Sequence, residues 1–498
     1  MLYVLLIMGT IIISGLLSVI DAQGTFYKVN PVNLNLTPET EVITNLFSLS
    51  GIKYIFTNTV SNFANFTVLS NLIIVLMGIS ILDKSGFLQT AITLTTKKMK
   101  KTTVTFIFVF LCVISSICGN LFYLIMIPLG ALLFYYGKRN PATGIIAAFA
   151  ALSCGSGLSF LFTSTDSELL TYTDLAAKTI NPNFAFANFQ SLFIMLVAVI
   201  LVSYIITIVT ENVIVRKLPK YEFTEKELEE DVVTKNESKG MKFALIASII
   251  YLIIIIYNIR PGVPLGGALL DHSQTLYIDK LFNPNSFFTH GFVFIVTMLF
   301  VIAGLFFGIG SKSIKNHKDF CDYLGNSLNG IGNTLVMIFL ASAFISIFKR
   351  SNIGGVVVAI IGDLIRNSTF TGLPLIIFIF VLVALSTFVV PQTSLKWYML
   401  STSIVPVLMN SEISPAFAQV IYRFAETSTM NLTPLLAYFI VYLSFLEKYN
   451  QSEKKVRLKE ALKYQVPYTG IITLTLLAII IVWYVVGIPL GINNLPTL

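Results

Sequence analysis

The chain has 498 residues, 55% of them hydrophobic and 12% charged, with a formal net charge of +8. Soluble domains carry roughly 25% charged residues, so a soluble globular protein is excluded. The mean hydropathy of +0.82 places the chain in lipid. Apolar runs such as Ile249–Ile256 and Phe292–Phe307 are helical in length and lack the alternation of a membrane β-barrel. The pattern predicts an all-α polytopic membrane protein. Basic residues gather in a few short loops, as on the cytoplasmic side of an inner-membrane protein, and not in a nucleic-acid patch.

In chain order, residues 2–20 are apolar with no Lys or Arg before them, so a retained first helix is expected rather than a cleaved leader. Four basic loops are assigned to the cytoplasm. They are residues 97–101 (Lys97, Lys98, Lys100, Lys101), 216–242, 312–318 (Lys312, Lys315, Lys318) and 448–463 (Lys448 to Lys463). Segments 21–65 and 259–287 carry few basic residues and are placed outside, which leaves the N-terminus cytoplasmic. Simple spans fall near 2–20, 67–83, 186–213, 242–258, 289–309, 328–349 and 466–489. The sides close if 141–175 and 412–446 each cross once, and if 103–137 and 371–410 each enter and leave on one side. That makes about nine transmembrane helices plus two re-entrant helical hairpins. Two full spans in place of each hairpin satisfy the charge rule equally.

The two halves echo one another. Phe106-Ile-Phe-Val109 recurs 272 residues later as Phe378-Ile-Phe-Val381, and Pro141-Ala142 recurs 274 later as Pro415-Ala416. Polar centres near 118 and 156 match others near 391 and 429, each pair 38 apart. Opposite starting sides predict two inverted-topology repeats, a transporter signature. The organisation reads as 1–66, first helix and extracytoplasmic segment; 67–213, repeat one with hairpin 103–137 and broken helix 141–175; 214–327, loop and scaffold helices; 328–489, repeat two with hairpin 371–410 and broken helix 412–446.

Irregular backbone at membrane depth must line a cavity. The first tip, Ser115 to Asn120, and first break, Ser153-Cys-Gly-Ser-Gly-Leu-Ser159, are rich in Ser, Gly and Asn. The second tip, Pro391-Gln-Thr-Ser394, and second break, Glu426-Thr-Ser-Thr-Met-Asn431, match them. Free N–H groups at a positive dipole end suit a carboxylate, and free carbonyls and hydroxyls suit Na⁺. Small residues also permit tight helix packing. Candidates for ion binding or coupling are Asn120, Ser156, Ser159, Asp166, Thr387, Glu426, Ser428 and Asn431. Ionisable groups in membrane segments are costly and tend to be functional. Arg423 and Glu426, at i, i+3, form either an intrahelical ion pair or a ligand site. Lys396 either snorkels or contacts ligand, and Trp397 either stacks on a substrate ring or anchors an interface. Asp363 and Arg366 read as structural. Cys112, Cys118, Cys154 and Cys321 show no CxxC spacing, so free thiols are expected. No metal or nucleophile–base constellation supports an enzyme, and a channel fits the hairpin-and-break plan less well than a carrier.

The chain resembles the AbgT family of p-aminobenzoyl-glutamate transporters from about residue 44 to its end. The likeness rests on Gly78-Ile-Ser-Ile-Leu-Asp-Lys-Ser-Gly86, Ile127-Pro-Leu-Gly130, Gly137-Lys-Arg-Asn-Pro141 with Gly144, and Thr165-Asp166. It continues in Ser394-Leu-Lys-Trp397, Val405-Pro406, Ser414-Pro-Ala-Phe-Ala-Gln419, Tyr422-Arg423 and Asn431-Leu-Thr-Pro434. The resemblance implies a homodimer of subunits with nine spans and two hairpins. It implies ion-coupled transport, with Na⁺ or H⁺ and no other cofactor, of p-aminobenzoyl-glutamate-like folate catabolites or sulfonamide antimetabolites. It also implies substrate positions at Asp166, Ser394, Trp397, Pro415 and Arg423, with Arg423 on a carboxylate and Trp397 on the aminobenzoyl ring. Asn120, Ser159, Thr387, Glu426 and Asp83 depart from the family pattern, where carboxylates and amides are the rule. The smaller number of intramembrane carboxylates weighs against proton coupling, while hydroxyl-rich breaks fit Na⁺. Pro391 and Gln392 replace small residues at the second tip and leave room for another substrate. A dicarboxylate or anion symporter of the same architecture is the alternative.

Overall fold

The computed structural model describes all residues except 1, 116–118, 160–162, 185–190, 225–232, 265, 283–285 and 493. Cys118 and part of the first tip therefore lie outside the described residues. The fold is predominantly helical. Among the described residues, six helical stretches are long and apolar enough to cross a membrane: Leu49–Lys84, Leu192–Lys217, Lys235–Asn258, Phe287–Ser311, Gly332–Ser351 and Leu458–Val486.

Helix α1 (Leu2–Val19) leads into a two-stranded antiparallel hairpin, β1 (Gln23–Val29) and β2 (Leu36–Val42). The helical reading of the sequence thus gains one small sheet, in the segment placed outside the membrane. Helices α2 (Leu49–Ala64), α3 (Thr67–Lys84) and α4 (Phe87–Thr96) follow. Helices α5 (Lys101–Ser115) and α6 (Phe122–Tyr136) are the arms around the first tip. Helix α7 (Pro141–Gly155) starts on Pro141 at its first turn, where a missing N–H is harmless, and Asn140 Oδ1 caps the Ala142 N–H at 2.9 Å. It packs so closely on α6 that a Cβ on Gly144 would run into the Gly130 carbonyl. After the break, α8 (Ser164–Lys178) begins at Thr163. Helix α9 (Leu192–Val209) ends in a π-helical turn, Thr210–Ile214.

The scaffold helices α10 (Lys235–Asn258) and α11 (Phe287–Ser311) pack on each other, and α11 also packs on α3. Helix α10 leaves Ile246, Ile249, Ile250 and Ile253 exposed, the outward face expected of a helix in lipid. Helix α12 (Gly332–Ser351) precedes the amphipathic α13 (Ile353–Arg366), which supports β1. Helices α14 (Gly372–Ser386) and α15 (Thr393–Met409) are the arms around the second tip. Helix α16 (Pro415–Thr429) again starts on proline, with Ser414 Oγ accepting from the Phe417 N–H. A short 3-10 turn, Met430–Leu432, breaks the chain before α17 (Phe439–Lys448), and α18 (Leu458–Val486) closes the bundle.

The first hairpin arms α5 and α14 are each 15 residues long, as are α7 and α16. One continuous apolar core joins both halves, with α7 and α16 buried along nearly their whole length at its centre. Cys112 and Cys154 are buried free thiols and Cys321 is an exposed one.

Candidate functional site

The two broken helices meet at their breaks. A Cβ on Gly157 would run into Thr427 Oγ1 and lie 2.8 Å from the Arg423 carbonyl, so only glycine permits this approach. Ser156 Oγ sits 3.3 Å from Thr427 Oγ1. Beside this crossing Arg423, almost fully buried, donates from Nη2 to the Ser156 carbonyl at 3.2 Å. The same Nη2 reaches Asp166 Oδ1 only at 3.7 Å, a long ion pair. Arg423 Nε has no hydrogen-bond partner among the described residues. A buried guanidinium with a spare donor is expected to find one.

Asp166 is held from the other side by a capping box at the start of α8. The Thr163 N–H and Oγ1 donate to Asp166 Oδ2 at 3.0 and 2.7 Å, and the Asp166 N–H returns a bond to Thr163 Oγ1 at 3.2 Å. Its carboxylate therefore stabilises the N-terminus of α8 while its free oxygen faces Arg423. The Thr-x-x-Asp spacing that signals this box stands in the sequence.

The second tip closes over α8. Ser394 Oγ donates to Glu168 Oε2 at 2.5 Å, and the Tyr422 hydroxyl donates to the Thr393 carbonyl at 2.7 Å. Glu168, two residues after Asp166, escaped the sequence reading because nothing local distinguishes it from a solvated helical carboxylate. Trp397 is fully buried. Its indole N–H donates to the Leu169 carbonyl at 3.1 Å and to Thr173 Oγ1 at 2.9 Å, and its ring lies 4.5 Å from that of Tyr422. Trp397 thus ties α15 to α8 and packs on Tyr422 of α16.

Among the remaining candidates, Thr387 and Glu426 come together on Lys396. The Lys396 ammonium neither snorkels nor meets solvent. It lies 3.1 Å from Glu426 Oε1 and donates to Thr387 Oγ1 at 2.8 Å. The Arg423–Glu426 pairing that the i, i+3 spacing allows gives way to two contacts across the fold, Arg423 with Asp166 and Glu426 with Lys396. Asn431 donates toward the Gln465 carbonyl and Oε1 and accepts from Thr469 Oγ1 at 2.7 Å, which commits it to α18. Ser428 bonds back to the Ala425 carbonyl. Pro415 opens α16, eight residues and about 12 Å of helix from Arg423. Asn120 is exposed at the first tip, and Ser159 is half-buried after the first break. Arg366 lies 3.6 Å over the Tyr27 ring and donates to Ser403 Oγ.

The chain is similar to the p-aminobenzoyl-glutamate transport protein of Escherichia coli (strain K12), at 24% identity over 457 residues, covering 92% of this chain and 87% of that protein. Among solved structures it is similar to the YdaH transporter of Alcanivorax borkumensis, at 25% identity, TM-score 0.49, and 99% coverage of both chains. It is also similar to MtrF of Neisseria gonorrhoeae, described with a class of antimetabolite efflux pumps, at 24% identity, TM-score 0.48, and coverage of 99% and 96%. The sequence profile of the AbgT transporter family matches residues 1–498, the whole chain, and the protein therefore belongs to that family of membrane transporters.

Proposed function

We propose that the chain is an ion-coupled secondary transporter for p-aminobenzoyl-glutamate-like anions or sulfonamide antimetabolites. It works as a homodimer in the cytoplasmic membrane with its N-terminus inside. Arg423 is the observation that carries this reading. A guanidinium that is buried, loosely paired and left with a spare Nε–H is suited to a substrate carboxylate. Asp166 sets the orientation of Arg423 and offers a second, ionisable partner that substrate carboxylate would displace. Ser394 lies over the same helix through Glu168.

The test is flux of labelled p-aminobenzoyl-glutamate and of a sulfonamide into liposomes holding purified protein, under separate Na⁺ and H⁺ gradients. Gradient-driven, saturable flux is expected, lost by more than tenfold in Arg423→Ala and partly kept in Arg423→Lys. Flux that is absent under both gradients for both compounds removes the substrate assignment. In Asp166→Asn, loss of flux under the H⁺ gradient alone assigns proton coupling to that carboxylate.

The burial of Trp397 favours one second reading, a carrier of simple dicarboxylates. With its indole committed to Leu169 and Thr173, Trp397 offers no aromatic platform for an aminobenzoyl ring. Equal competition by succinate and p-aminobenzoyl-glutamate supports this second reading, and preference for the aromatic conjugate supports the first.

A further inference from the structure

Lys396 is among the largest side chains with no exposed surface in the molecule. A buried ammonium is tolerated only when paired and hydrogen-bonded, and here the surroundings are all cation-attracting. Glu426 Oε1 stands 3.1 Å away as a contact ion pair, and accepts no hydrogen bond of its own among the described residues. Thr387 Oγ1 accepts from the ammonium at 2.8 Å. The Tyr422 ring centroid is 5.7 Å from Nζ, within cation–π range. Thr387 is the C-cap of α14, so the negative end of that helix dipole lies against the same charge. Hydroxyl, carboxylate, ring face and helix C-terminus together are the elements of a monovalent-cation site.

The first repeat joins the same two elements without charge. Lys396 and Glu426 lie 273 residues after Tyr123 and Ser153, and the Tyr123 hydroxyl donates to Ser153 Oγ at 3.1 Å. Both contacts tie the second hairpin arm to its broken helix. A neutral pair therefore suffices for the mechanical tie, and the charge in repeat two is an addition to it.

We propose that Lys396 is a tethered cation. Its ammonium fills a monovalent-cation site made by Glu426, Thr387 and Tyr422 at the second tip, so that Na⁺ does not bind there in the native chain, and removing the ammonium opens the site to a free cation. Any coupling ion then acts elsewhere, with the hydroxyl-lined crossing of Ser156 and Thr427 as an alternative. The inference concerns what holds the second tip and does not depend on the identity of the substrate.

Thermal unfolding of the purified full chain in detergent, at constant ionic strength with NaCl, methylammonium chloride or choline chloride, tests it without a transport assay. Wild type is expected to show the same Tm in all three salts. Lys396→Ala should fall by several degrees in choline and recover in a saturable way with Na⁺ or methylammonium. Lys396→Met and Glu426→Gln should each lose stability with no salt response, and the double variant should lie closer to wild type than either. A saturable Na⁺-dependent rise in wild type that Glu426→Gln abolishes overturns the proposal. So does a folded Lys396→Ala protein indifferent to cation. If Lys396→Ala yields no folded protein, the Met and Gln variants decide, and losses that simply add in the double variant also overturn it. Absent flux in liposomes would count against the proposed function and leave these melting results standing.

Discussion

The two hairpins are fastened in opposite ways. At the base of the first, the charge is on side chains. Arg139 grips Glu211 with two bonds from Nη2, at 2.7 and 2.8 Å, donates to Thr105 Oγ1 at 2.9 Å and lies 4.3 Å over the Phe134 ring. Glu211 is delivered by the π-helical turn that ends α9, and Thr105 Oγ1 donates to it at 2.5 Å. At the base of the second, backbone of the C-terminal tail does the fastening. The Ser414 N–H and Oγ donate to the Pro496 and Leu495 carbonyls, both at 2.8 Å, and the Leu498 N–H donates to Glu412 O at 2.9 Å. At the tips the order reverses. Tyr123 and Ser153 are neutral, whereas Lys396 and Glu426 are ionic and dry. The first hairpin carries its ion pair at the partly exposed base, and the second carries one at the dry tip. The energetic stakes differ accordingly, because an ion stripped of water depends wholly on its partner.

The comparison breaks or sharpens at four points. The largest effect is expected from Glu426→Gln, which strands the Lys396 ammonium and should cost about 3–5 kcal/mol. Ser153→Ala, its first-repeat counterpart, should cost only about 0.5–1.5 kcal/mol. Denaturant or thermal unfolding measures both, and equal losses would mean that the tips are not different in kind. Next, Arg139→Met leaves Glu211 with Thr105 alone and should cost about 1.5–3 kcal/mol. Hydrogen exchange should rise in α5 and α6 while α14 and α15 stay protected. Gly157→Val drives carbon into Thr427 and the Arg423 backbone, at about 1–3 kcal/mol. Flux should fall further than stability does, because the displaced group is Arg423, and a variant with normal flux would separate the crossing from the site. The smallest effect is expected from removal of residues 492–498, which deletes the three bonds to the second hairpin base and the bond from the Leu490 N–H to the Asn494 carbonyl, at about 1 kcal/mol in all because chain ends fray at little cost. Faster exchange confined to the second hairpin is the expected sign, and a matching change in the first would show that the two bases are coupled.

Much of the local chemistry was readable before any coordinates. Pro141 with Asn140 and Pro415 with Ser414 mark helix starts by rules that act within four residues. The Gly, Ser and Thr clusters mark breaks for the same local reason. Two local signals went unread. Thr163-x-x-Asp166 spells a capping box, and Thr25-Phe-Tyr-Lys-Val29 has the β-branched and aromatic make-up of a strand, whose buried face carries Gly24 and Phe26. Both were masked by the weight of helical, apolar sequence around them.

Composition and run length determined that this chain lives in a membrane as a bundle of helices, and that its polar interruptions come in two sets. Those properties depend on transfer free energy and on hydrogen bonding along one stretch of backbone, and both are encoded locally. Only the tertiary structure decided who pairs with whom. Glu426 stands three residues from Arg423, a favourable intrahelical spacing, yet it turns to Lys396, and Arg423 turns to Asp166, 257 residues away. A buried charge is placed by the partner that compensates it in the packed interior, and that partner is chosen by how distant helices cross and not by the order of residues along either one.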